Sequence, residues 1–389
     1  MQLIPVNDTI TAKIFLQVAA ELYKNDSNWI RPLDKDINEI FDLEKNKAFR
    51  FGEAVRWIVK DDNGKLIGRI AAFINKKYKS IGDDVSVGGI GFFECINNQH
   101  IADFLFDTAK EWLLQKGVQA MDGPINFGER DRWWGLLTKG FEPPLYCMNY
   151  NPAYYETLFE NYGFKIFFQQ VCFSMKAKVP LSSKIIDRYK LYESNPDFSC
   201  THIIKNQLQK FAVDFVTVYN KAWAGHGGLK QMEEKQAVLL FKKMKPVMDE
   251  KIVWFAYHKN EPIAIFINLP DLNYWFKKLD GKFGLLQKLK FLWLQKFSAN
   301  KKFTGIVFGV VPEWQGKGID AYIVGEAAKV LQQASMPYEE YEMQWIGDFN
   351  PKMINVAEGL GDVQRSRNLT TYRYLFDRNK EFKRHPILG

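Results

Sequence analysis

Apolar positions along the chain switch between two spacings. Where they recur every three or four residues, as at Ile14, Phe15, Val18, Ala19 and Leu22, they form one face of a helix that Thr9 or Thr11 can cap. Where they alternate, or run together briefly between turn signals, they predict strands. Residues 1–7 read as a short strand. Residues 54–60 and 66–74 read as the arms of a hairpin, because Asp62, Asn63 and Gly64 between them tolerate positive φ. A strand over 85–95, a helix over 101–115 closed by Gly117 and a strand over 118–125 come next. After a loop rich in Gly and Pro, a helix over 154–161 ends at Gly163 and a strand occupies 164–175.

The stretch 179–200 carries Pro180, Ser182, Ser183, Asn195 and Pro196 and reads as a join. The order of elements then recurs. A strand over 202–205 leads to helices over 208–223 and 233–248 and a hairpin over 252–269 that turns at His258-Lys259-Asn260-Glu261. The remainder reads as strand 303–311, helix 320–333, strand 338–346, helix 352–358 and strand 372–376. Asn151-Pro152 precedes a helix and Gly163, and Asn350-Pro351, 199 positions later, precedes a helix and Gly361. Two copies of one α/β unit are therefore expected, over 1–178 and 201–389, with 179–200 between them.

Composition narrows the function classes. With 47% hydrophobic and 25% charged residues in 389, the chain is globular, and the excess of 53 Lys+Arg over 45 Asp+Glu is too thinly spread to argue for nucleic acid. Aromatics, at 15%, sit among other apolar residues and read as core. Cys95, Cys147, Cys172 and Cys200 and the five histidines assemble no zinc spacing, so no metal is expected and a reducing compartment fits. The first 24 residues lack a basic start and carry Asp8 and Glu21, unlike a signal peptide. No apolar run approaches the ~18 residues that span a bilayer, so the expectation is a cytoplasmic protein without a transmembrane segment.

One segment has a mechanism attached. Val310-Val311-Pro312-Glu313-Trp314-Gln315-Gly316-Lys317-Gly318-Ile319-Asp320 runs from a strand through a glycine turn into a helix. Free N–H groups at such a start, with the helix dipole behind them, suit a pyrophosphate, and Lys317 adds a positive charge. A Walker loop needs Ser or Thr after its lysine, which is absent here. A dinucleotide fingerprint needs an acid closing the next strand, whereas Glu339 and Glu340 open it. The turn instead resembles the acyl-CoA motif of GNAT-type N-acyltransferases: Arg or Gln, two residues, Gly, one residue, then Gly or Ala. The tandem arrangement also resembles a group of uncharacterised bacterial GNAT-like proteins, through Gly68-Arg69-Ile70-Ala71-Ala72, Gly91-Phe92-Phe93-Glu94-Cys95, Met121-Asp122-Gly123-Pro124-Ile125-Asn126-Phe127 and Tyr150-Asn151-Pro152.

This resemblance implies two tandem GNAT-like mixed-sheet domains of α/β class, with helices on both faces. It implies acetyl-CoA or another acyl-CoA as co-substrate, with pantetheine along 307–311 through Val310 and Val311. The pyrophosphate would lie on Gln315, Gly316, Lys317, Gly318, Ile319 and Asp320, with Asn350 touching the cofactor. The acceptor would be an amine, on a small molecule or a peptide, that attacks the thioester while a base takes its proton. Glu342 is the first candidate base, followed by Glu313 and Asp348; His226 lies on a glycine-rich loop that could close on a substrate.

Departures from the family pattern bear on activity. Asp320 replaces the usual Gly or Ala, and the tyrosine that often serves as general acid is replaced by Ala357 in the second copy and Phe159 in the first. After Gly91-Phe92-Phe93-Glu94-Cys95 the first copy has Ile96-Asn97-Asn98-Gln99-His100, which offers no phosphate cradle, so its cofactor site is expected to be degenerate. Cys95 and Cys172 read as core residues. The lysine-rich, apolar stretch 276–303 reads as a helical insertion packed on the other copy or walling a substrate, in preference to a membrane-surface helix, because its lysines do not share one face. The alternative to an N-acyltransferase is a non-catalytic module that binds acyl-CoA or a protein partner.

Overall fold

A computed structural model describes residues 1–223 and 231–388. The strands are β1 (Gln2–Pro5), β2 (Gly52–Lys60), β3 (Leu66–Asn75), β4 (Val87–Cys95), β5 (Ala120–Gly123), β6 (Leu136–Lys139), β7 (Lys165–Lys176), β8 (Phe198–His202), β9 (Val253–His258), β10 (Glu261–Pro270), β11 (Lys302–Val310), β12 (Glu340–Gly347) and β13 (Gln364–Leu375). The α-helices are α1 (Thr9–Leu22), α2 (Asp34–Ile40), α3 (Gln99–Gln115), α4 (Tyr154–Tyr162), α5 (Ser183–Tyr189), α6 (Leu208–Trp223), α7 (Glu234–Met244), α8 (Asn273–Phe276), α9 (Leu285–Phe297), α10 (Ile319–Leu331) and α11 (Pro351–Glu358).

Local chemistry sets these boundaries. Asp8 and Thr11 form a capping box at α1, and Gly163 at φ 106° stops α4 in the left-handed conformation. In the second hairpin Lys259 and Asn260 take positive φ, as a two-residue turn requires. Four elements escaped the periodicity: α2, the short β6, the one-turn α8, and α5, which Ser182 caps inside the supposed join; the strand expected over 202–205 is β8, which begins inside that join at Phe198. The helix expected over 233–248 stops at Met244, and the last strand begins at Gln364 rather than 372.

The strands form one mixed sheet in the order β1-β2-β3-β4-β5-β13-β7-β12-β11-β10-β9-β8, with β6 paired to β13. The two copies exchange their last strands. β13, from the second copy, pairs with β5 of the first, while β7, from the first, pairs with β12 of the second. The cores are shared accordingly: Tyr372 of β13 sits in the first core among Phe93, Phe106 and Phe159, and Val171 and Phe173 of β7 sit in the second. The copies divided at 179–200 in sequence are therefore interlocked in space.

Two buried ion clusters mark the exchange. Arg373 of β13 donates from Nε to Asp122 at 2.6 Å and from Nη1 to Asp83 at 2.7 Å, and Tyr78 donates to Asp122 at 2.6 Å. Arg367 of the same strand donates from Nε to Glu342 at 2.7 Å and from Nη1 and Nη2 to the carbonyls of Glu142 and Pro143.

Candidate functional site

In the second copy, β11 and β12 start as a parallel pair and then part. Pairing runs only from Lys302 opposite Glu340 to Gly305 opposite Met343. Beyond that point β11 stays on β10 as far as Val310, and β12 continues on β7 through Ile346 and Gly347. A cavity of about 510 Å³ fills the wedge. Ile306, Val307 and Phe308 line it from β11, Trp345 from β12, Val324 and Ala327 from α10, and Asn350, Met353 and Ala357 from α11 and its cap. Tyr219 and Trp223 close it from α6. Among the described residues no charged side chain lines it, so it suits an apolar chain.

At the vertex, Tyr341 places its hydroxyl 2.2 Å from where a Cβ on residue 305 would stand, and only glycine leaves that space. Burial pushes the Tyr341 phenol above its ordinary range, and the same cause raises Tyr219.

The glycine turn follows β11. Pro312–Trp314 makes a single 3₁₀ turn, and Gln315 donates from Nε2 to the Val310 carbonyl at 2.9 Å, tying the turn to the strand end. Gly316 and Gly318 take φ of 72° and 92°, and Gly318 begins α10 with no side-chain cap. Among the described residues no backbone hydrogen bond occupies the N–H groups of Gly316, Gly318, Ile319 or Asp320. Such a run of free donors at a helix start suits an anion. Asp320 is not aimed into this cradle without a counter-charge, because Arg188 of α5 stands 4.0 Å from its carboxylate. Tyr192 donates to the Lys317 carbonyl at 2.6 Å. Arg188 and Tyr192 had no signal in the sequence, since both lie in what read as a join.

The structure separates the other candidates. Val310 and Val311 are buried at the end of β11, and Asn350 caps α11 by accepting from Met353 N–H at 3.3 Å while lining the cavity. Glu342 does not line the cavity. Fully buried, it accepts from Arg367, from Ser366 at 2.9 Å and from Lys302 at 2.5 Å, and these cations hold its carboxyl below the usual range against the burial that raises it. A carboxylate so occupied is a poor proton acceptor, and its geometry is that of a structural ion pair. Glu313 is exposed beside the turn, and Asp348 is bound to Arg384 at 2.5 Å. His226 lies outside the described residues. Cys95 and Cys172 are buried free thiols, with burial pushing Cys95 up to about 12. No group of three or more His, Cys, Asp or Glu able to hold a metal ion occurs among the described residues.

The first copy closes the corresponding place. β4 and β5 pair from Val87 to Gly89, and the Ile125 N–H then donates to Ile90 at 2.8 Å, so no wedge opens. Phe159, where the second copy has Ala357, packs fully buried against Phe93 and Phe106. The remaining cavity is about 60 Å³. The start of α3 is capped by Asn98, which accepts from Ile101 N–H at 3.3 Å.

A mixed sheet built from two copies of one α/β unit has counterparts among solved structures. A tandem GNAT protein from the clavulanic acid biosynthesis pathway superposes with a TM-score of 0.54 at 10% identity, over 97% of this chain and 99% of that one. The fold is that of a tandem GNAT protein. A GCN5-related glucosamine N-acetyltransferase region of a fungal multi-domain β-N-acetylglucosaminidase gives 0.53 at 12% identity, over 96% of this chain, which spans 38% of that one. No protein-family model matches. In sequence, this chain is similar to a bacterial ceramide synthase of Caulobacter vibrioides, 25% identical over 383 residues and 96% of each protein. It is also similar to protein YghO of Escherichia coli, 25% identical over 360 residues, 90% of this chain and 89% of that protein.

Proposed function

We propose that the protein is an acyl-CoA-dependent N-acyltransferase with one cofactor site, in the second copy, and that its acyl group is a long chain. The observation that carries this reading is the 510 Å³ wedge between β11 and β12, mostly apolar, lined by no charged side chain among the described residues, and joined by β11 to a turn with free N–H groups. The cavity is far larger than an acetyl group needs. Similarity to a protein named for ceramide synthesis supports a long acyl chain and makes a long-chain amine the first acceptor to try.

In this reading the pyrophosphate lies on the N–H groups of Gly316, Gly318, Ile319 and Asp320, with Lys317 and Arg188 as the nearby cations. Pantetheine bonds the unpaired edge of β11 beyond Gly305. The acceptor nitrogen attacks the thioester carbonyl, the C–S bond breaks, the leaving thiolate takes a proton from an acid, and the proton shed by the nitrogen passes to water and restores that acid. Ala357 cannot give one. Tyr341, whose hydroxyl stands over the strand vertex, is the donor we assign. Tyr341→Phe should lower kcat about a hundredfold while leaving acyl-CoA affinity nearly intact. Release of CoA thiol, followed with acyl-CoAs of increasing chain length and with short and long amines, tests the reading. Acyl-CoA binding without thiol release for any amine would favour a non-catalytic binding module.

A further inference from the structure

The segment expected to bury itself between the copies does so on one side only. Phe291 and Leu294 of α9 pack against Leu33, Trp275 and Phe276, joining the two copies. The opposite side of α9 is apolar and faces outward: Leu285 and Leu286 are 77% and 76% exposed, and Leu289, Leu292, Trp293 and Phe297 each more than half. At 100° per residue these six fall within one arc of about 140°. An apolar helix face of this size is unusual on a soluble surface.

Charge identifies what covers it. Between residues 277 and 296 stand six exposed lysines, at 277, 278, 282, 288, 290 and 296, against one acid, Asp280. Asp280 is itself within 3.7 Å of Arg31. None of the six lysines forms a salt bridge among the described residues, although Lys282 stands in the field of Asp34. Lys288 and Lys290 fall on the two borders of the apolar arc, with the exposed Lys290 ammonium also donating to the Lys278 carbonyl at 2.6 Å. The objection that the lysines share no face is met by this geometry, since flanking positions serve a helix lying at an interface. A second copy of the chain would bring the same cations against themselves.

We infer that α9 and the 277–282 loop dock the protein on an anionic phospholipid surface, with Leu285, Leu286, Leu289, Leu292, Trp293 and Phe297 entering the headgroup boundary. This inference does not rest on the acyltransfer reading. It also carries a practical consequence for it, because α9 leads within five residues into β11, the strand that lines the cavity.

Co-sedimentation of the full chain with vesicles of phosphatidylcholine alone, and of phosphatidylcholine with phosphatidylglycerol, tests it. Binding is expected on the anionic vesicles and should weaken with added salt. Leu286→Gln with Trp293→Gln should weaken it at least tenfold. Lys288→Gln with Lys296→Gln should weaken it roughly twenty-five-fold, at about fivefold per lysine. Thermal melting by circular dichroism checks that the variants fold; if the apolar pair melts early, the lysine pair decides alone. Equal binding to both vesicle types, no binding to either, or binding untouched by the lysine pair would overturn the proposal. So would a dimer in light scattering that the Leu286 and Trp293 substitutions abolish, which would make this face an interface between copies.

Discussion

The two copies share a topology and differ in what occupies the place where the parallel strands end. In the first, Ile125 bonds back to Ile90, Phe159 fills the space beside Phe93 and Phe106, and the Asn98 side chain occupies one helix-start donor, the Ile101 N–H. In the second the strands part after Gly305, Ala357 leaves the space open, and Gly318 leaves the donors free. One copy has gained packing where the other keeps a cavity. An open apolar wedge forfeits contacts that a filled one makes, so the difference has a stability cost borne by the second copy.

The largest effect expected from this contrast is Phe159→Ala, which removes a fully buried ring from the closed copy and should cost about 3–5 kcal/mol in denaturant unfolding. Acyl-CoA stoichiometry should not change. A loss under 1 kcal/mol would mean the first wedge is not close-packed. The converse substitution, Ala357→Phe, carries the closed copy's residue into the open one. It should weaken binding of a long-chain acyl-CoA at least a hundredfold and leave free CoA much less affected, as read by calorimetry. Equal losses for both ligands would place the acyl chain elsewhere.

The ion clusters sharpen the comparison. In the first copy Arg373 serves two aspartates directly, whereas in the second Asp271 is buried near Glu342, and burial pushes its carboxyl up to about 6. A carboxylate raised from 3.8 to about 6 on folding prefers to stay protonated, so its penalty is absent below about pH 3.8, grows as pH rises to 6 and is constant above. Asp271→Asn keeps an acceptor for the Asn273 N–H and should therefore stabilise the chain by on the order of 2 kcal/mol at pH 7.5, with the gain vanishing near pH 4. A gain that does not vary with pH would show that the charge is not its source. The smallest effect is Lys317→Ala. Lys317 is exposed beside the turn, and its loss should weaken CoA binding about threefold at low ionic strength and less near 0.5 M salt, with melting unchanged.

Much of the fold was legible because strands and helices here carry their own signals. Both hairpins announced themselves through turns that need positive φ, and the paired Asn-Pro helices and closing glycines exposed the duplication. The strand exchange had no such signal, because β7 and β13 look alike to local patterning, and which sheet takes which strand is decided by long-range packing of Tyr372 and Phe173. The glycine turn was legible from Gln315 to Asp320. Glu342 was misleading as a base, since a lone acid on a strand does not reveal that Arg367, twenty-five positions away, is its partner. Tyr341 was passed over for its neighbour because alternation alone does not say which side of a splayed strand faces the wedge. The exposed side of α9 was missed because its apolar residues face two ways, and periodicity assigns both to a core.

Titration calorimetry with a long-chain acyl-CoA below its micellar concentration tests the central claim most directly. One site per chain is predicted, lost in a Gly318→Trp variant that still folds and unaffected by substitutions at Asn98 in the first copy. Two sites per chain, or binding that survives Gly318→Trp, would contradict the account.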